Sequence, residues 1–129
     1  MGRDLHYTIL QFIERNLSSH AKVASWKRMD TPQDDDYIYL IIRTDGFSDV
    51  IVHASDEYRY TLTHYYQKPA QITAGGFILI AKPEGGYSYD IVEIAQNDKI
   101  SIGKWGALMG ALYHDNHWNY IPKERREDD

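Results

Sequence analysis

Polar and apolar positions alternate most regularly between residues 37 and 53, where two runs of β-branched and aromatic residues flank Asp45-Gly46. Alternation with a period of two is typical of β-strands, and Asp-Gly between two such runs is a strong signal for a hairpin turn. The sequence therefore predicts a β-hairpin here. Neither face of the hairpin is polar throughout, so we expect it to lie inside a sheet.

The alternation also predicts which side chains share a face of this hairpin. We expect the face that packs under helices to be made of Ile38, Leu40, Ile42, Val50 and Val52. The opposite face would then present Tyr37 and Tyr39 to solvent. Exposed tyrosines supply rigid contact area that loses little side-chain entropy on binding. We therefore predict a binding surface that consists of Tyr37, Tyr39, Tyr58, Tyr60 and Tyr89.

Two segments show the spacing of amphipathic helices. The first runs from Asp4 to Ser18, and its apolar stripe consists of Leu5, Ile9, Phe12, Ile13 and Leu17. The second runs from Gly103 to Tyr113, and its stripe consists of Trp105, Leu108, Met109 and Leu112. Apolar residues three and four apart lie on one side of a helix. We expect both helices to pack on the same face of the sheet.

The remaining segments complete the predicted sheet. Residues 77–81 and 87–94 predict a second hairpin, turned by the stretch between them that contains proline and glycine. The alternation in residues 23–28 permits an edge strand, and residues 100–102 permit a short last strand. Residues 58–66 fit both a strand and a helix, and we favour the strand because aromatic and β-branched residues dominate there.

These elements predict one α+β domain over residues 1–121, followed by a disordered charged tail over residues 122–129. The predicted sheet is antiparallel, has about five strands and follows meander order. The N-terminal and C-terminal helices are predicted to cover one of its faces.

Composition narrows the classes of function. The chain has no cysteine, which removes disulfides, thiolate nucleophiles and cysteine metal sites. Its formal net charge of −5 argues against general binding of duplex nucleic acid, which requires a basic surface. No apolar run has the character of a signal peptide or the length of a membrane span. We therefore expect a cytoplasmic protein that does not engage membranes.

The best candidate for a metal site consists of His114, Asp115 and His117. Histidines three apart share a helix face if the helix continues, and imidazole and carboxylate groups bind divalent metals. Alternatively, these polar residues only end the second helix. The sequence identifies no third strong ligand, so no metal or cofactor is favoured. The acidic run at residues 34–36 lacks the spacing of a calcium loop.

Carboxylates on predicted strands raise the alternative of a metal-dependent hydrolase or nuclease. Asp49, Asp90 and Glu93 supply these acids. A nuclease of the restriction-endonuclease type needs a lysine two residues after its second acid, so that metal and water are held together. Ala95 occupies that position after Glu93, and the nearest lysine, Lys99, lies across a predicted turn. The sequence departs from this signature at its most informative position.

Two hypotheses therefore follow from the sequence. The first is a small binding or regulatory module, not an enzyme, that uses the tyrosine-bearing sheet face to meet a protein partner or a second copy of itself. The alternative is a metal-dependent hydrolase or nuclease that uses His114, Asp115 and His117 together with strand carboxylates. They differ in whether the histidines and the acids meet in one cleft.

Overall fold

The computed structural model describes residues 7–29 and 37–125. Its helices are α1 (Tyr7–Ser19), α2 (Leu62–Tyr66), α3 (Asp90–Asn97) and α4 (Trp105–Ala111), with 3-10 helices at His117–Asn119 and Lys123–Arg125. Its strands are β1 (Val23–Met29), β2 (Tyr37–Arg43), β3 (Val50–Ser55), β4 (Arg59–Tyr60), β5 (Phe77–Ile80), β6 (Gly86–Tyr87) and β7 (Ser101–Gly103). No described helix has the length and apolar character that crossing a membrane requires.

The main sheet is mixed, so the prediction of an antiparallel meander is wrong. Its strand order is β1-β2-β3-β5-β7; β1, β2 and β3 pair antiparallel, whereas β3, β5 and β7 pair parallel. Parallel neighbours require crossover connections, and α2 and α3 lie in those crossovers. Strand β6 pairs with β4 in a separate two-stranded sheet, so the predicted second hairpin is not formed.

Residues 90–97 form the second crossover helix and not the predicted strand. Ile91 and Ala95, four residues apart, are buried on one side of this helix, and Asp90 and Glu93 lie in its first turn, where carboxylates are favourable. Residues 58–66, for which we favoured a strand, are divided between the short β4 and α2.

Helices cover both faces of the sheet. Side chains from α1 and α4 pack against one face and side chains from α3 pack against the other, with Tyr65 of α2 in the same second cluster. The N-terminal and C-terminal helices thus share a face as predicted, but the opposite face is not left to solvent. The crossover helices supply the third layer because parallel strands place their connections on the sheet faces.

The register of the first hairpin reverses the predicted faces of β2. Tyr39 lies opposite Val52 and Ile41 lies opposite Val50, so the odd-numbered residues of β2 share a face with the even-numbered residues of β3. Consequently Tyr39 and Ile41, not Ile38, Leu40 and Ile42, pack with α1 and α4. The predicted turn itself is confirmed, because Asp45 and Gly46 both adopt positive φ between the two strands.

A buried arginine joins this hairpin to the end of α4. Arg43, the last residue of β2, donates hydrogen bonds to the carbonyl oxygens of Ser48, Leu112, His114 and Asp115. Its side chain is fully enclosed, and burial lowers the pKa of its guanidinium. Carbonyl groups in the last turn of a helix have no partner within the helix. Arg43 therefore supplies the donors that hold the chain after α4 against the β2–β3 connection.

Candidate binding groove

The three residues proposed as metal ligands have separate structural roles. His117 is buried, its Nδ1 accepts from the Ser101 hydroxyl at 2.6 Å, and its Nε2 donates to the Gly75 carbonyl at 2.8 Å. Asp115 accepts from the Ser48 amide at 2.9 Å. Burial lowers the pKa of His117 and keeps its ring neutral at pH 7. Within residues 7–29 and 37–125, no three histidine or acidic side chains come together as metal ligands.

The strand carboxylates of the alternative hypothesis are not brought to one place. Asp90 and Glu93 belong to α3 and not to a strand. Asp49 is exposed just before β3. His114 is also exposed, and its ring stacks on Tyr120 with 4.8 Å between ring centroids. Among the described residues, these side chains do not gather into a set of three metal ligands. The acidic run at residues 34–36 lies outside the described residues.

The five tyrosines of the predicted binding surface do not share one exposed face. Tyr39 and Tyr60 are only 0% and 2% exposed, and Tyr37 packs against the core beside α1. The hydroxyl of Tyr39 donates to Glu14 of α1 at 2.8 Å. Tyr58 and Tyr89 are exposed. The expected exposure of Tyr39 on β2 is therefore wrong, because its side chain packs under α1.

Two side-chain pairs resemble catalytic dyads in composition. One is the buried pair of Ser101 and His117, and the other joins Thr61 to His64 at 3.1 Å. His64 Nδ1 accepts the Thr61 backbone amide at the start of α2, in the manner of a capping box. Each histidine thus holds backbone in place, and neither pair opens into a cavity described here.

A groove of about 360 Å³ lies between α1 and the carboxyl end of β5. Its walls are almost wholly apolar. The lining residues are Thr8, Ile9, Phe12, Ile13, Leu79, Ile80, Ala81, Lys82, Pro83, Lys104 and Trp105. Parallel strands commonly carry ligand sites beyond their carboxyl ends, and small-molecule sites are concave and mainly apolar. The groove has that position and that character.

The amphipathic pattern of α1 supplies one wall of the groove. Ile13 is buried against the sheet, while Phe12 remains 44% exposed, although both belong to the predicted apolar stripe. The Phe12 ring lies 5.1 Å from the Trp105 ring of α4, measured between centroids. The two aromatic rings therefore come from distant parts of the chain and meet in the lining of the groove.

A glycine at the end of β7 lets the chain pass directly into α4. A β-carbon at Gly103 would lie 2.5 Å from the β-carbon of Ala107. Glycine therefore permits the close approach by which α4 begins directly after the strand. This turn places Lys104 and Trp105 at the groove.

Among the described residues that line the groove, the charged ones are Lys82 and Lys104. Lys82 and Lys104 are both half-buried. The ammonium of Lys104 donates to the Pro83 carbonyl at 3.0 Å. Its backbone amide donates to the Glu124 carboxylate at 3.1 Å, so that carboxylate binds the backbone of Lys104 and not its ammonium group. Among the described ion pairs, none joins either ammonium to a carboxylate.

The 3-10 helix at Lys123–Arg125 fixes the chain around Lys104. The Tyr87 hydroxyl donates to the Glu124 carboxylate at 2.5 Å. Arg125 donates to the Tyr87 hydroxyl at 2.9 Å and to the Ile102 carbonyl at 2.7 Å. The first residues of the predicted disordered tail are therefore bound to the domain, while residues 126–129 lie outside the described part.

No family model, curated protein or solved structure matches the chain. The candidate site therefore depends on geometry alone. Sequence reasoning placed Phe12 and Trp105 in helical stripes but did not join them, because their contact spans most of the chain. The structure adds that Phe12 stays 44% exposed although it belongs to an apolar stripe, and that its ring contacts the half-buried Trp105.

Proposed function

We propose that the protein is a small binding module and that its working surface is the groove between α1 and the carboxyl end of β5. The observation that carries this proposal is a concave, mainly apolar volume of about 360 Å³ whose lining includes the contacting rings of Phe12 and Trp105. That volume lies within the range of small-molecule sites, roughly 300 to 1,000 Å³. The groove takes up the apolar part of a ligand.

The chemistry of the lining supports binding over bond making. Among the described lining residues there is no histidine and no carboxylate, so neither of the commonest general bases is present. The polar side chains there belong to Thr8, Lys82 and Lys104. Recognition of a protein partner or of a second copy, and a cytoplasmic location, remain predictions from the sequence.

Fluorescence of Trp105 tests the proposal directly. A chain with Trp26→Phe and Trp118→Phe keeps Trp105 as its single tryptophan. We expect 1-octanol to change its emission saturably, because the neutral apolar chain would lie beside the indole ring.

Phe12→Ser in that background should weaken the response at least fivefold. The matched control is Tyr58→Ser, which removes another exposed aromatic ring outside the groove. Circular dichroism of each variant establishes that the fold is kept. An emission that does not saturate with 1-octanol, or a folded Phe12→Ser variant with undiminished response, would contradict the proposal.

A further inference from the structure

We propose that the ligand of this groove is a small amphiphilic carboxylate whose anionic head lies between Lys82 and Lys104. This inference rests on the proposed function, which requires only that the groove accept an apolar group. It adds that the two lysines select the charge at one end of that group.

The positive charge of the groove favours an anionic ligand. The whole chain carries a formal charge of −5, yet the charged groups among the described lining residues are two ammonium groups. Described carboxylates that form ion pairs do so with other cations, such as Asp45 with Lys22 at 2.6 Å. A carboxylate beside these two lysines would give each ammonium an ionic hydrogen-bond partner.

The position of Lys104 is the second argument. Its ammonium is directed by the Pro83 carbonyl at 3.0 Å, and an ammonium has three donors, so two remain for a ligand. Its backbone is held by Glu124, as described above. A charge that is already positioned loses less freedom when it binds a ligand.

Shape decides between a small molecule and a macromolecule. Stable protein interfaces bury about 800 Å² on each partner and are broad, whereas this site is a single concave volume of about 360 Å³. We therefore assign the groove to a free small molecule. A peptide, a second copy and the chain's own residues 1–6 are the competing occupants.

Three ligands with the same eight-carbon chain distinguish the contribution of the head group to the affinity from that of the apolar chain. Octanoate, 1-octanol and octylammonium are titrated into the full-length protein by calorimetry at low ionic strength. We expect octanoate to bind at least tenfold more tightly than 1-octanol, and octylammonium to bind most weakly. The preference should decrease as salt is added, because exposed charges are screened.

Substitution of the lysines identifies the groups that read the charge. Lys82→Met with Lys104→Met should lower the affinity for octanoate to that for 1-octanol, while the affinity for 1-octanol stays unchanged. Lys27→Met on β1 is the control, because it removes an exposed positive charge away from the groove.

Each failure has a distinct meaning. Equal affinities for octanoate and 1-octanol would overturn this inference and leave the proposed function intact. Absence of binding by all three ligands would overturn both. If deletion of residues 2–6 creates the binding, or if Phe12→Glu turns a dimer into a monomer in sedimentation, the natural occupant is the chain itself and the small-molecule assignment is wrong.

Discussion

Tyr39 shows how one residue can belong to the core and still satisfy a polar group. Its ring is fully buried between α1 and the sheet, and its hydroxyl donates to Glu14. Burial and the nearby carboxylate both raise the pKa of this phenol. The hydroxyl therefore stays protonated and remains a donor throughout the physiological pH range.

Tyr39→Ser should lower the free energy of unfolding by about 3 to 5 kcal/mol, because it leaves a cavity the size of an aromatic ring. Tyr39→Phe should cost only about 1 kcal/mol, the usual value of one hydrogen bond. Chemical denaturation measures both. Tyr58→Ser, on the surface, is the control and should change stability by less than about 0.5 kcal/mol. If Tyr39→Ser were as stable as the parent, the Tyr39 side chain could not be part of the core.

The misassigned faces of β2 illustrate what a single sequence leaves open. Alternation fixes which residues of one strand share a face, and that part of the prediction is confirmed by Tyr39 and Ile41. It does not fix the register with the next strand, and a shift of one residue exchanges the faces. The loop that joins Ile41 to its partner Val50 sets that register. Its conformation is decided in part by Arg43, whose partners lie far along the chain.

At the scale of elements, length and periodicity predicted the long segments better than the short ones. Helix α1, the hairpin of β2 and β3, and the edge strand β1 were all anticipated. Residues 90–97 were not, because Asp90, Val92 and Ile94 alternate as in a strand while Ile91 and Ala95 also have helical spacing. Contacts with the sheet decide such a segment, and a local pattern does not contain them.

The side chain of Arg43 holds together the β2–β3 connection and the chain after α4. Arg43→Met should lower the free energy of unfolding by about 3 kcal/mol, since it removes the donor to the buried Leu112 carbonyl and to part-buried carbonyl groups such as that of Ser48. Arg28→Met is the matched control. Arg28 lies on the edge strand, 46% exposed and 3.7 Å from Glu14, so its loss should cost less than about 0.5 kcal/mol. Equal denaturation midpoints for the two variants would contradict this role of Arg43.

At the scale of the molecule, the parallel half of the sheet was the part that sequence reasoning missed. Which strand lies beside which is a long-range property, and the crossovers of α2 and α3 could not be distinguished from turns between antiparallel strands. The groove was missed for the same reason, since Ile9, Ala81 and Trp105 come from three distant segments. The single domain and many of the helices and strands could be predicted because they depend on local sequence patterns and not on long-range contacts.

The stability of the whole molecule should fall as the solution is acidified. Burial lowers the pKa of His53 from 6.5 to about 4, and the pKa of His117 is lowered for the same main reason. Well above pH 6.5 these rings are neutral in both the folded and the unfolded chain. Between pH 6.5 and 4 these histidines bind protons in the unfolded chain but remain neutral in the folded chain, so folding becomes less favourable.

For His53 alone the expected loss between pH 7 and pH 5 is roughly 2 kcal/mol, at about 1.4 kcal/mol for each pKa unit. Urea denaturation at the two pH values measures it. His53→Gln should reduce the difference between the two pH values. An identical pH dependence in the parent and His53→Gln would show that the ring titrates alike in both states.

The parallel pairing of β3, β5 and β7 also bears on how the chain folds. Strands β1, β2 and β3 are neighbours in sequence and can pair through short closures, so we expect them to pair before β5 and β7, which need their crossover segments. The groove needs α1, the end of β5 and the beginning of α4 together. It therefore exists only when folding is complete, and a ligand that occupies it stabilises the finished fold and no intermediate that lacks β5.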